Sequence, residues 1–348
     1  MKKIRIAQIG IGHDHAQGIM DTLRAYPDVF ELAGVAVPEE EKEEFSYRLE
    51  GGKDWRCYVG VPVLSVEQVL ADASIVAVTV ETEEVHLVKY ATLAAQHGKH
   101  IHMDKPGSLD ADAFEELARV AKRGALVFHM GYMYRYNPFV IELFAEADRG
   151  ELGRILSVEA EMNCTHVPDK RAWLSRFPGG MMFYLGCHMV DFIYRLQGMP
   201  EEIIPLNTKT GVADVDSEDF GFAVLRYPHG VSVAKSNAWQ VGGFPRRSLV
   251  VIAEKKTVVL QPLELLGCGI PGKQSSRRTV YDVPTWEHFG TTETAAPFAR
   301  YDDMMNAFAA FVRGERENPY SYEYEVTLFR IFMRACGVEI DYKKKIVL

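Results

Sequence analysis

Short apolar runs alternate along the first third of the chain with stretches in which apolar residues recur every three or four positions. KKIRIAQI at residues 2–9, FELAGVAV at 30–37 and SIVAVTV at 74–80 have the length and β-branched content of buried strands. Between the first two, AQGIMDTLRAYP sets Ile19, Met20 and Leu23 on one helical face. EEEKEEFSYRL reads as an acidic helix. SVEQVLAD opens with a capping box, Ser65 with Gln68 three residues on. TEEVHLVKYATLAAQHG is predicted as a helix from Thr82 as N-cap to Gly98 just past its end. KHIHMD and ALVFHMGYMY are further strands, and Asp110 is predicted to cap ADAFEELARVAKRG, which Gly124 ends. Strands alternating with helices predict a parallel, doubly wound sheet.

The pattern changes near residue 135. YNPFVIELFAEADRGELG is one helix and a turn, and longer alternating runs follow: RILSVEAEMN, DFGFAVLRYPHG, VSVAKSNAWQ and RSLVVIAEKKTVVL. With YPHG and AEKK as hairpin connections, these predict a large, mostly antiparallel sheet with helices on one face. Two helical segments, RYDDMMNAFAAFVRG and YEYEVTLFRIFMRAC, close the chain. The expected organisation is an α/β Rossmann-type domain over residues 1–134 and an α+β domain over 135–348.

Composition narrows the function. A length of 348 residues suggests about two domains, and 47% hydrophobic residues fill sizeable cores. A net charge of −9 opposes a nucleic-acid surface, which wants clustered Lys and Arg. No stretch approaches the roughly 18 apolar residues of a membrane span. The five cysteines form no C-x-x-C pair, which predicts free thiols in a reducing, cytoplasmic setting.

After the first strand comes QIGIGHDHAQG. Gly10 and Gly12 stand where the first two glycines of G-x-G-x-x-G belong, and His15 stands at the third. Strand, glycine turn and helix are the setting this fingerprint needs: a tight turn, close backbone approach, and phosphates on N–H groups at a helix start. His13 and Asp14 are expected to touch the cofactor or cap the helix. An acid about 20 positions on would hold the adenosine ribose. Val37 takes that place, with Glu39 just beyond and no base before Lys42, which favours NAD over NADP. Neither His13 with His15 nor His100 with His102 has a zinc-motif spacing, so no metal is expected.

GIGHDH, AQHGKHIHMDKPGSLD, GYMYRYNP and GGMMFYLGCHMVD, in this order, resemble the glucose–fructose oxidoreductase and inositol dehydrogenase family over essentially the whole chain. The resemblance implies a Rossmann domain, then an α/β domain with an open sheet that makes oligomer contacts. It implies oxidation or reduction of a secondary alcohol on a sugar, cyclitol or related polyol. Lys105 matches the lysine of the family's E-K-P motif, with Asp104 in place of Glu. His188 matches the histidine of D-x-G-x-H-x-x-D, and Asp191 its last acid. Tyr184 stands where that motif has its catalytic Asp. Glu81 replaces Thr in the segment lining the nicotinamide side, which includes His86.

Hydride transfer from an alcohol needs a base for the hydroxyl proton and a positive group where alkoxide charge develops. Lys105, at a strand end, suits both roles, and Pro106 restricts it. If 183–196 is helical, Tyr184 and His188 share a face, and Asp191 could orient the imidazole. A phenol is a weak base unless a cation is near. Arg135, His166, Asp169, Arg171, Trp173 and Trp239 are candidate substrate groups, since aromatic, Arg and Asp side chains together suit a hydroxylated ring. The leading expectation is an NAD-dependent oxidoreductase of a sugar-like alcohol, a homo-oligomer through its C-terminal sheet. A redox-neutral enzyme that retains its NAD, and a non-catalytic dinucleotide and sugar sensor, are the alternatives the missing Asp leaves open.

Overall fold

The computed structural model describes residues 2–52 and 55–348. The chain forms two compact units, one of residues 1–133, 301–326 and 346–348, the other of 134–300 and 327–345. In the first unit, β1 (Ile4–Ile9), β2 (Phe30–Ala36), β3 (Val63–Leu64), β4 (Ala77–Val80), β5 (His100–Met103) and β6 (Phe128–Met130) form one parallel sheet in the order β3-β2-β1-β4-β5-β6. Chain order reverses beside β1, and in open parallel sheets ligands bind outside the carboxyl ends of the strands at that point.

The helices of this unit follow from their sequences. α1 (Ala16–Ala25) buries Ile19, Met20 and Leu23, the face its spacing predicts. α2 (Glu39–Phe45) is the acidic segment, and α3 (Val66–Ala71) carries the Ser65–Gln68 capping box. α4 is shorter than predicted (Leu87–Gln96): its N-cap is His86, and the Thr82 hydroxyl instead donates to the Glu83 carbonyl. Asp110 caps α5 (Ala111–Arg123) by accepting from the Asp112 and Ala113 N–H groups.

The second unit contains α6 (Pro138–Asp148), β7 (Ile155–Glu161), α7 (Pro168–Trp173), α8 (Cys187–Gln197), β8 (Glu202–Pro205), β9 (Phe220–Tyr227), β10 (Gly230–Asn237), β11 (Ser248–Ala253), β12 (Thr257–Leu260), β13 (Leu265–Leu266), β14 (Gln274–Ser275), β15 (Arg277–Tyr281) and β16 (Thr291–Thr294). Eight strands make one sheet in the order β16-β15-β12-β11-β7-β10-β9-β8. The YPHG and AEKK turns join β9 to β10 and β11 to β12 as antiparallel hairpins. The sheet is mixed, because β7 and β10 pair in parallel. β15 and β16 escape the sequence pattern. β16 is an edge strand exposed at every position, and the short β15 beside it, RRTVY, is mostly polar, so there is no apolar alternation to read.

One boundary differs from the expectation. α9 (Asp302–Val312) falls in the first unit, although its sequence position put it in the second, and the division between units passes through α10 (Tyr322–Ala335). Tyr26 donates to Asp302 at 2.9 Å, and Phe308 stacks on His129 with centroids 5.5 Å apart. An amphipathic helix shows that it covers a core but not which core.

Arg171 and Asp219 form a wholly buried ion pair in the second unit, with Nε and Nη2 donating to one carboxylate oxygen at 2.9 and 2.6 Å. Asp219→Ala is expected to destabilise this unit by about 3–5 kcal/mol, because it strands a buried guanidinium. Urea unfolding measures it, and a loss below 1 kcal/mol would contradict the assignment of this pair as structural.

Candidate active site

The carboxyl ends of β1, β4 and β5 bring together residues that lie far apart in the chain. Gly10 turns the chain out of β1 at φ +89°, where a Cβ would lie 2.5 Å from the Thr82 backbone nitrogen. Gly10→Ala is therefore expected to cost about 1–3 kcal/mol of stability through strain at the turn, read by thermal unfolding; an unchanged melting temperature would contradict it. His13 follows, wholly buried. Its Nε2 donates to the Lys105 carbonyl at 3.0 Å, and its Nδ1 accepts the His15 N–H at 3.1 Å. Asp104, at the end of β5, accepts the Lys105 N–H at 2.6 Å and meets His15 Nδ1 at 3.0 Å. Lys105 itself is fully buried.

Asp14 is exposed and does not cap α1: its N-cap is His15, and no side chain makes a cap bond there. His86 is half-buried at the start of α4. Glu81 is wholly buried at the end of β4, 4.0 Å from His13 and 3.9 Å from His102.

Burial and the Asp104 charge push the Glu81 carboxyl well above the usual range. Asp104 is held well below it, because His13 and His15 outweigh its burial. Burial lowers His15 to about 4, whereas Asp104 outweighs burial at His13 and raises it.

The anion cradle of the glycine turn has an internal occupant. The Ile11 and Gly12 N–H groups donate to Glu41 Oε2 at 3.1 and 3.3 Å, and the Glu83 N–H donates to its Oε1. Arg48 donates to the Ile11 and Gly12 carbonyls. Glu39, expected at the adenosine ribose, instead points outward and pairs with Lys42. Sequence reasoning missed Glu41. Its signal was its place in EEEKEEF, where it shares a helical face with Phe45, but a run of glutamates ordinarily reads as a solvated surface.

In the second unit a π-helical segment, Met182–Gly186, precedes α8, so Tyr184 and His188 lie across a π-to-α junction rather than on one regular α-helix. Tyr184 sits in an aromatic group with Trp173 and His166, centroids 5.6 and 5.8 Å away. A nearby cation is Lys170, with Nζ 4.7 Å from the Tyr184 ring centroid and 3.7 Å from that of Trp173. His188 is buried edge-on against Tyr134 at 4.9 Å.

Two expected substrate residues prove to be internal. Arg135 is buried and donates through Nε and Nη2 to both oxygens of Asp191, at 2.8 and 2.7 Å, which commits the acid expected to orient His188. Arg171 is tied to Asp219 and lies beneath Trp239, 5.2 Å from its ring. Trp239 remains 39% exposed, and His166 and Trp173 are half-buried, so these three can face a ligand.

Residues 4–132 match the model of an oxidoreductase family with an NAD-binding Rossmann fold, and residues 142–259 match the GFO/IDH/MocA C-terminal domain. The chain is 27% identical over 179 residues to D-xylose 1-dehydrogenase (NADP(+)) 2 of Haloferax volcanii, covering 50% of this chain and 54% of that protein. It is 27% identical over 203 residues to glucose-6-phosphate 3-dehydrogenase of Bacillus subtilis, covering 56% and 54%. The chain thus spans about half the length of these curated relatives. Levoglucosan dehydrogenase, solved in complex with NADH and levoglucosan, has a TM-score of 0.74 at 16% identity, covering 97% of this chain and 98% of that one, and shares the fold.

Proposed function

The chain belongs to the GFO/IDH/MocA oxidoreductase family, and from that premise we propose that it is an NAD(P)-dependent oxidoreductase acting on a secondary alcohol of a sugar, cyclitol or related polyol. The observation that carries this reading is Lys105: a lysine wholly buried at the carboxyl end of β5, with its carbonyl bonded to His13 of the glycine turn. The curated relatives named above act on sugars, which supports the substrate class.

The cradle fits a dinucleotide's phosphates, because an anion already rests on it. The Glu41 carboxylate uses the same kind of turn N–H groups that receive pyrophosphate in this fold. The Ile11 and Gly12 N–H groups would hold the phosphates once Glu41 withdraws. A nicotinamide held there would supply the hydride chemistry. Lys105 takes the proton of the substrate hydroxyl during oxidation and steadies the negative charge that develops on its oxygen. His188 is assigned the second proton-handling role by its match to the family motif. His166, Trp173 and Trp239 offer aromatic and polar surface to a hydroxylated ring.

NAD is the favoured form. Lys42 and Lys89, the cations on α2 and α4 that could meet a 2′-phosphate, are paired with Glu39 and Glu40. A cytoplasmic setting accords with five cysteines among which no disulfide forms. Among the described residues no helix is long and apolar enough to cross a membrane. Assembly through the eight-stranded sheet accords with exposed Ile204 and Val231 on its strands.

The test is to mix the protein with NAD or NADP and a panel of polyols, inositols, sugars and sugar acids, and to follow reduced nicotinamide. Production on a member of the panel supports the proposal; silence from protein shown to hold the dinucleotide counts against it. One observation favours a redox-neutral variant of this chemistry. Lys170 beside Tyr184 would stabilise a phenolate able to take a C–H proton. Substrate-dependent deuterium uptake from heavy water without net NADH would identify it.

A further inference from the structure

Two imidazoles and two carboxylates converge within the first unit, at the carboxyl ends of its strands. His13 Nδ1 lies 3.3 Å from Asp104 Oδ2, and His15 Nδ1 lies 3.0 Å from the same oxygen. One donor atom from each of His13, His15 and Asp104 falls within 4.8 Å of the others. Donors on one tetrahedral zinc ion, each about 2.0–2.1 Å from it, stand about 3.3–3.5 Å apart, and the two contacts to Asp104 lie near that spacing. Glu81 Oε2 is 4.0 Å from His13 Nδ1.

The hydrogen bonds of the cluster fix which atoms could ligate. A carbonyl only accepts, so the His13 proton is on Nε2, facing Lys105, and the Nδ1 lone pair, which accepts the His15 N–H at 3.1 Å, lies 3.3 Å from Asp104 Oδ2. A metal-bound histidine ordinarily makes this very bond with its other nitrogen, which fixes the tautomer. The second, independent observation is Glu81. It is wholly buried, and neither of its oxygens receives a hydrogen bond among the described residues. Beside Asp104 it is held as the protonated acid, and a metal ion bound here would take the place of that proton.

We propose that His13, His15 and Asp104, with Glu81 as fourth and charge-balancing group, form a binding site for one divalent transition metal of the zinc class. Mixed imidazole and carboxylate ligands suit Zn2+ in particular, and two carboxylates neutralise the dication. His15, the one ligand of the four with solvent exposure at 12% of its side chain, is the point of entry. Binding displaces the contact between the His15 N–H and His13 Nδ1. Neither H-x-H pair has a zinc-motif spacing along the chain; the third ligand arrives from a strand 89 residues further on.

The test uses untagged full-length protein stripped with a chelator and then freed of it. Zn2+ is titrated calorimetrically, and Co2+ serves as the spectroscopic substitute. The expected result is one ion per chain and a four-coordinate Co2+ spectrum. His15→Ala should weaken binding by at least about 100-fold and the isosteric Glu81→Gln by about 10-fold, with circular dichroism and melting confirming that each is folded. Absence of uptake by the wild-type chain would mean that protons alone satisfy the cluster, and would overturn the proposal. So would uptake that both variants retain, since the ion would then lie elsewhere. Neither readout depends on hydride transfer, so failure of this site and failure of the proposed function are distinguishable.

Discussion

Lys105→Ala is expected to reduce turnover by about 10²–10⁴-fold or more, while reduced dinucleotide still binds. The lysine is fully buried and its backbone is held on both sides, by Asp104 at the N–H and by His13 at the carbonyl. Removing the ammonium takes away the group that exchanges the hydroxyl proton and balances alkoxide charge, and leaves the cradle N–H groups untouched. Lys105→Met, which nearly preserves volume, separates loss of charge from loss of packing. Both variants should fall alike in kcat, with dinucleotide affinity, read by protein-fluorescence quenching, within a few-fold of wild type. Full activity in either variant would sink the assignment of Lys105.

The second large effect concerns Glu41. Its carboxylate holds three backbone N–H groups, and two of them, those of Ile11 and Gly12, are the ones proposed to hold the dinucleotide's phosphates. Hydrogen bonds to a charged group are worth about 1.5–3 kcal/mol each, so displacing this carboxylate is a substantial part of the work of binding. Glu41→Ala is expected to tighten NAD(P)H binding by about 10-fold or more, equivalent to about 1.4 kcal/mol. The ligand-free variant should also melt earlier, because buried N–H groups left without acceptors cost about 1–3 kcal/mol. The thermal shift caused by added NADH should then exceed that of wild type. An unchanged or weaker affinity in a folded variant would show that Glu41 does not compete with the cofactor.

A pH dependence follows from the same contact. Burial raises the Glu41 carboxyl above its ordinary value, against the lowering by the N–H groups. Protonation removes the charge that grips the cradle. Wild-type dinucleotide affinity should therefore rise as pH falls into the range where Glu41 protonates. Glu41→Gln, uncharged throughout, should lack this component, and an equal rise in the two proteins would contradict it.

Much of this protein was determined by its sequence alone, because the signals are local. Alternation of buried strand runs with helices predicted the parallel sheet. The Ser65–Gln68 box, the Asp110 cap and the two hairpin turns are each specified within a few residues, and all form as expected. The glycine turn after β1 and the Asp-Lys-Pro segment after β5 mark the crevice for the same reason: strand, turn and helix boundaries are short-range chemistry.

Tertiary structure decided what those residues meet. Glu41 enters the cradle from 30 residues beyond Ile11, Asp104 reaches His15 across 89, and Asp191 takes Arg135 across 56. Helix α9 joins the first unit through a contact spanning 276 residues. Only its spacing to Phe45 sets Glu41 apart from the exposed Glu39, and nothing in periodicity marks Arg135 as an internal ion pair rather than a substrate clamp. Such partnerships depend on which side chains the packed sheets carry to the same depth, and that is settled when the chain has folded.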